Sequence, residues 1–385
     1  MEGNSDERII EREFGELALN MGPQHPSTHG VFRLQLYLRG ETVVRVTPHI
    51  GYLHRGVEKL SETLDYDMLP PVFERDDYLS PTANSLAYVL AVERLAGFEV
   101  TRRASYLRVL TAELQRVASH LVAIGTFGLD LGGSMGGGAT LFLYCFRDRE
   151  RILDLMETLT GTRFHTNMNQ IGGVRYDVYP GFDSEVLNTL RYLSDQVSEY
   201  RSILEKNPIF LERTKDVGIV TQELAKEVGA SGPVLRATGI PYDLRRNKPY
   251  CTYDEFNFEI PVGSIGDVFD RYLVRIKEIS ESISIVTQVL EGLPEGSINT
   301  RKPLKIATLL KPPKGAEAYA AVESPRGELG FFILSDGTSK PYRLKIRSPS
   351  FSNIALIPEI IPGHLVADAV AILGSLDPVF GDVDR

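Results

Sequence analysis

The sequence predicts an α+β fold: a bundle of four or more long helices, an N-terminal β-hairpin and a small C-terminal β region. Two apolar stripes carry the bundle. Leu107, Leu110, Leu114, Val117, Leu121 and Ile124 recur at spacings of three and four, and Phe269, Leu273, Ile276, Ile283, Val286 and Leu290 share one face of a second segment. The hairpin rests on alternation from Val31 to Leu38 and a β-branched run from Val43 to Val46, with Arg39-Gly40-Glu41 between them.

In chain order, a helix is expected to begin near Gly56 and another over 81–95, where Pro81 suits a first turn. The helix over 102–124 is expected to end at Gly125, leaving Thr126-Phe127-Gly128-Leu129-Asp130-Leu131-Gly132 as a loop. Helices then follow over 141–159, 184–204 and 267–290. Between the last two, the polar and aromatic stretch from Arg236 to Tyr253 reads as loop, with an interface as its only assignable role. Lys302-Pro303 to Lys314-Gly315 is rich in proline and lysine, and strands are expected over 331–335 and 342–346, joined at Asp336-Gly337.

Composition narrows the functional classes. A hydrophobic share of 43% with 24% charged residues is that of an ordinary globular protein. The net charge of −9 argues against nucleic acid as the main partner. Cys145 and Cys251 stand far apart with no ligand spacing, so neither a disulfide framework nor a cysteine-ligated cluster is encoded. No run of about twenty apolar residues occurs, and the acidic start has no apolar core. Membrane association is therefore expected to come through partners.

Chemistry concentrates in a few places. Gly22-Pro23-Gln24-His25-Pro26-Ser27-Thr28-His29-Gly30 holds two histidines on a backbone stiffened by two prolines. Histidine, with an ordinary pKa of ~6.5, suits a rigid proton donor; a structural turn is the other reading of the same residues. Asp130, set among glycines and leucines, is placed to orient an imidazole. His120, on an apolar helix, reads as a core histidine, and Arg55 and Glu58 as an exposed ion pair of little worth. His165 serves equally as a cap or a surface group.

The histidine loop resembles the N-terminal signature of the large hydrogenase-like subunit of respiratory complex I, the proton-pumping NADH:quinone oxidoreductase. Arg55-Gly56-Val57-Glu58 is similar to the first motif of nickel-iron hydrogenase large subunits. In Phe73-Glu74-Arg75-Asp76-Asp77-Tyr78-Leu79-Ser80-Pro81 and Asp377-Pro378-Val379-Phe380-Gly381-Asp382-Val383-Asp384-Arg385, Asp77, Ser80, Val379 and Asp382 stand where hydrogenases place four metal-binding cysteines. Soft thiolates are what such nickel and iron sites require. The resemblance thus implies a retained hydrogenase-like scaffold with no metal or cluster of its own and a vacated pocket open to a quinone.

It further implies that His29 and Tyr78 donate protons to the quinone, that Asp130 partners His29, and that His25, Thr28 and Arg326 belong to the quinone site. Arg75 and His165 would lie beside the terminal iron-sulfur cluster of the small sister subunit, and Arg326 would point into the emptied cavity. The implied division is a tail (1–16), a β region with the histidine loop (17–60), a helical bundle (61–300) and a segment closing the former metal site (301–385), forming one compact unit. The implied partners are the small iron-sulfur subunit, other peripheral-arm subunits and a membrane subunit at the quinone entrance, at the cytoplasmic side of the plasma membrane. Such a subunit would be inactive alone. The rivals are a non-catalytic scaffold subunit and a subunit of a membrane-bound hydrogenase or of a ferredoxin- or F420-dependent complex.

Overall fold

The computed structural model describes residues 16–132, 137–301 and 309–385. Strands β1 (Glu16–Met21), β2 (Arg33–Arg39) and β3 (Thr42–His49) form an antiparallel sheet in that order. Leu34, Leu36 and Leu38 alternate inward along β2, as a period of two demands. Strand β1 has no counterpart in the hairpin expected from sequence. Leu17 and Leu19 are exposed and Met21 alone in it is buried, so β1 shows no alternating burial and pairing with β2 makes it a strand.

The bundle consists of α1 (Pro81–Ala96), α2 (Arg102–Gly132), α3 (Gly138–Thr160), α4 (Phe182–Leu204) and α5 (Val268–Gly292). The Asp267 side chain caps α5 by accepting the Asp270 N–H at 2.8 Å, and a left-handed Gly97 ends α1. Near Gly56 there is only a short helix, Val57–Ser61. Strands β4 (Glu317–Ser324), β5 (Gly327–Ser335) and β6 (Pro341–Arg347) form a second antiparallel sheet against α1. The chain closes through α6 (Val366–Leu376), packed on α2 and α5, and α7 (Phe380–Asp384).

One expectation fails in an instructive way. Helix α2 does not stop at Gly125 but runs to Gly132, carrying Asp130 on its last turn. Its glycines are contact points with α3. A Cβ at Gly125 would lie 3.1 Å from the Cys145 Cβ, and one at Gly138 of α3 would lie 1.9 Å from the Gly128 carbonyl oxygen. Glycine costs about 1 kcal/mol in a helix interior, and here that cost admits a backbone-to-backbone approach. The glycine-rich stretch 132–138 and the proline- and lysine-rich stretch lie partly outside the described residues, at 133–136 and 302–308.

The stretch 236–253 is exposed only in part. It contributes to a buried ionic core between α2, α5 and β4. The Arg236 guanidinium donates to Glu278 and Glu323, each at 2.7 Å, while Arg245 donates to Asp243 at 2.7 Å and to Glu113 at 3.1 Å. His120 is a core histidine, with Nε2 2.8 Å from Glu278. Burial alone would raise the Glu278 carboxyl, yet Arg236 and His120 override it and hold Glu278 well below its ordinary value. Arg55 and Glu58 do not pair with each other. Arg55 bonds buried Asp76, and Glu58 accepts from Lys345 at 2.8 Å.

The α2–α3 contact gives a first test. Gly138→Val puts its Cβ against the Gly128 carbonyl and must force the helices apart, costing about 1–3 kcal/mol or more. Thermal unfolding should show a clearly lowered midpoint; an unchanged midpoint would mean the helices separate without cost.

Candidate functional site

The histidine loop is held by polar contacts because it has no aliphatic anchor. It leaves β1 through a cis Gly22–Pro23 peptide, makes one turn over Pro26–Thr28 and delivers His29 in left-handed geometry at φ 57. The buried Thr28 hydroxyl sits 2.8 Å from the His25 carbonyl and 2.9 Å from that of Gly30, clipping the turn shut. His25 Nδ1 accepts the Ser27 N–H at 3.2 Å. Beneath the loop, Phe32 stacks on Phe380 at 4.5 Å between centroids, tying it to α7.

So positioned, His29 Nε2 lies 2.5 Å from Asp130 Oδ2, with both side chains about 12% exposed. The continued α2 makes this possible. Val122, Thr126 and Asp130 stand one turn apart on one helix face, and the first two line the cavity into which His29 opens.

That cavity has a volume of about 840 Å³. Its walls are the histidine loop, Tyr78 with Leu79, α2 and the turn Asp377-Pro378-Val379. Tyr78 is half-buried, and burial pushes its phenol above the ordinary range. Asp77 and Asp377 add to the rise and Arg326 opposes it. The phenol is thus held neutral and gives up its proton only to a strongly basic acceptor.

The positions matching hydrogenase cysteines are occupied differently than the resemblance implies. Asp77, Ser80 and Asp382 are buried but do not line the cavity; Val379 does. Arg326, wholly buried in the β4–β5 turn, pairs with one of them. Its guanidinium donates to Asp77 at 2.9 Å, Ser119 at 3.1 Å and the Asp377 carboxylate at 3.2 Å, and to the Asp377 carbonyl at 2.9 Å. Arg326 therefore points into an ion-pair cluster behind the cavity wall, not into open space. Asp77 Oδ1 also accepts the N–H groups of Leu79 and Ser80 at 3.1 and 3.2 Å, fixing the turn that presents Tyr78. Among the described residues, no three His, Cys, Asp or Glu side chains converge to hold a metal ion.

The structure brings together His25, His29, Tyr78 and Val379 at the cavity, with Asp130 one bond behind His29. Thr28 acts within the loop rather than at its surface. Arg75 and His165 form a separate cluster. His165 is half-buried, and its imidazole is lowered by burial first and by Arg75 and Arg55 next, which keeps it neutral near pH 7. Neighbouring Glu74 is pushed up to about 7 by burial, although Ser85 and the Asn167 N–H each donate to it at 3.0 Å. Sequence reasoning missed Val122, Thr126 and Asp377 as wall residues. The spacing of four from 122 to 130 was a usable signal, hidden by ending the helix at Gly125.

Two outcomes test the Arg326 cluster. Arg326→Met leaves buried carboxylates unpaired and should cost about 3–5 kcal/mol in thermal or denaturant unfolding; an unaltered stability would make the cluster incidental. The Asp77 carboxyl, pushed up to about 6 from an ordinary 3.8 by burial and then by Asp382 and Asp377 against Arg326, holds its proton in the folded chain after the unfolded chain has lost it. This contribution makes stability fall as pH rises through that window. Unfolding midpoints measured from pH 4 to 7 should accordingly fall less steeply in Asp77→Asn than in the parent.

Residues 136–385 match the family described as "Respiratory-chain NADH dehydrogenase, 49 Kd subunit". The chain is 48% identical over 391 residues to an NADH-quinone oxidoreductase subunit of Koribacter versatilis, covering 96% of both proteins. It is 49% identical over 370 residues to the corresponding NADH-quinone oxidoreductase subunit of Clostridium beijerinckii, covering 96% of this chain and 97% of the relative. Among solved structures, a chain of the membrane-bound sulfane sulfur reductase, an archaeal respiratory membrane complex, superposes with a TM-score of 0.91 at 36% identity, over 96% of this chain and 99% of that one. Among the described residues no helix is long and apolar enough to cross a membrane. The α+β hydrogenase-like fold expected from the sequence is the fold observed, and the chain belongs to the family of the 49 kDa subunit of respiratory-chain NADH dehydrogenase.

Proposed function

We propose that the cavity receives a quinone headgroup and that this chain supplies both protons for its reduction. One observation carries the reading: a half-buried phenol and an imidazole backed by a carboxylate open into the same cavity of about 840 Å³. That volume suits a small-molecule site with a few convergent polar groups.

Reduction of a quinone to a quinol takes two electrons and two protons, one proton for each carbonyl oxygen. In this reading the electrons come from the terminal iron-sulfur cluster of a small sister subunit on the Arg75–His165 side. Tyr78 hydrogen-bonds one carbonyl and His29 the other, and each donates a proton as charge builds on its oxygen. The raised phenol of Tyr78 suits this role because reduced quinone is a strong base. Asp130 balances the imidazolium before transfer and is left with an uncompensated charge afterwards, a local change that membrane subunits can sense. The chain would then sit peripherally at the cytoplasmic side of the plasma membrane, inactive without its partners.

The likeness to the sulfane sulfur reductase chain favours a second reading, in which the cavity serves a sulfur acceptor within a related complex. The higher identity to quinone oxidoreductase subunits weighs toward quinone.

The assembled complex carrying Tyr78→Phe or His29→Ala decides the matter. Quinone reduction should fall roughly 10²-fold or more, the usual contribution of a positioned general acid, while the terminal cluster still reduces by electron paramagnetic resonance. Full turnover in both variants would leave the chain a scaffold, and retained reduction of a polysulfide but not of quinone by the parent complex would favour the second reading.

A further inference from the structure

We propose that Gly374 is a positioning residue for the His29–Asp130 pair: by lacking a side chain it lets both groups rest against the backbone of α6 and so sets their contact. The inference rests on the reading of His29 as a proton donor.

Gly374 lies within the largely apolar helix α6 (Val366–Leu376), buried between Leu373 and Ser375. Its backbone is helical, so no left-handed turn requires glycine there, and glycine is the poorest helix former after proline. The reason for its presence is spatial. A Cβ at this position would stand 3.1 Å from Asp130 Oδ2, 3.2 Å from His29 Nε2 and 3.4 Å from Phe127 Cδ2. The first two are the very atoms that form the 2.5 Å contact. A methyl group would therefore press on the two hydrogen-bonded side-chain atoms themselves, and its cost depends on how far they can yield.

The surroundings leave the pair little room to yield. Asp130 is fixed on α2, whose packing on α3 is set by the Gly128–Gly138 approach. His29 is fixed by the left-handed backbone and the Thr28 clip. Phe127, one turn before Asp130, closes the third side. An added methyl displaces one member of the pair by a few tenths of an ångström, enough to lengthen a short contact and turn the imidazole relative to the cavity. Small misplacements of reacting groups carry large rate penalties.

The test is the assembled membrane complex carrying Gly374→Ala, with Gly374→Ser adding one more heavy atom against the same pair. Turnover per reducible cluster should fall roughly tenfold in the alanine variant and further in the serine variant. The solvent deuterium isotope effect on quinone reduction should rise, because proton delivery becomes more limiting. Cluster reduction and the thermal midpoint should hold or improve, since alanine is the better helix former. Unchanged turnover and isotope effect, in a background where His29→Ala abolishes quinone reduction, overturn the role of Gly374 and leave His29 as donor. A loss of turnover matched by lost assembly or lost cluster signal makes Gly374 a packing residue only and likewise overturns it. Full turnover in His29→Ala overturns the inference together with the reading beneath it.

Discussion

A single buried guanidinium sets the shape of the site. Arg326 has no access to water, so each of its N–H groups must find a partner within the protein. It finds them on Asp77, Ser119 and Asp377, which belong to the turn before α1, to α2 and to the turn after α6. Three separate segments are thereby pinned around one charge, and each presents a cavity wall: Tyr78 beside Asp77, Val122 and Thr126 on α2, and Asp377 with Pro378 and Val379. Arginine suits this role better than lysine because its planar fork reaches several fixed acceptors at once. Where the resemblance places metal-binding thiolates in hydrogenases, this chain uses ion pairs to hold a comparable set of segments together.

The two groups facing the cavity are prepared in different ways. Tyr78 owes its character to burial among carboxylates, which holds the proton on the oxygen. His29 owes its character to geometry, since a short loop without apolar anchors must be stiff to keep an imidazole against Asp130. Two prolines, a hydroxyl clip and an aromatic stack supply that stiffness. The ionic core between α2, α5 and β4 supports the same helix that carries Asp130 and keeps its buried charges matched.

Local signals made much of this legible. The stripes on α2 and α5 predicted the bundle, and the prolines, histidines and motif ends marked the segments that meet at the site. The remainder depended on tertiary contacts that no local rule reveals. Gly125 and Gly128 read as helix breakers because the facing backbone of α3 is invisible in the sequence. Arg236, Asp243 and Arg245 read as a polar loop because their partners Glu113, Glu278 and Glu323 lie far off in sequence. Strand β1 lacks a buried face, and Gly374 is a lone glycine in an apolar run until His29 and Asp130 are seen against it. The motif at Arg326 is visible in the sequence, but the direction of its side chain depends on Asp77 and Asp377 claiming it.

The contacts of α7 bear on how the chain acquires its site. Asp384 accepts the N–H groups of Gly51 at 2.8 Å and Leu53 at 2.7 Å, across separations of 333 and 331 residues. Pairings this distant carry a large loop-closure entropy and form late, after local helices and hairpins have settled. Because the cavity takes one wall from residues 23–31 and another from 377–379, it is complete only once these two distant segments have met. The two walls are held in place by contacts between segments far apart in sequence, so a change that loosens α7 from Gly51 and Leu53 also loosens the cavity.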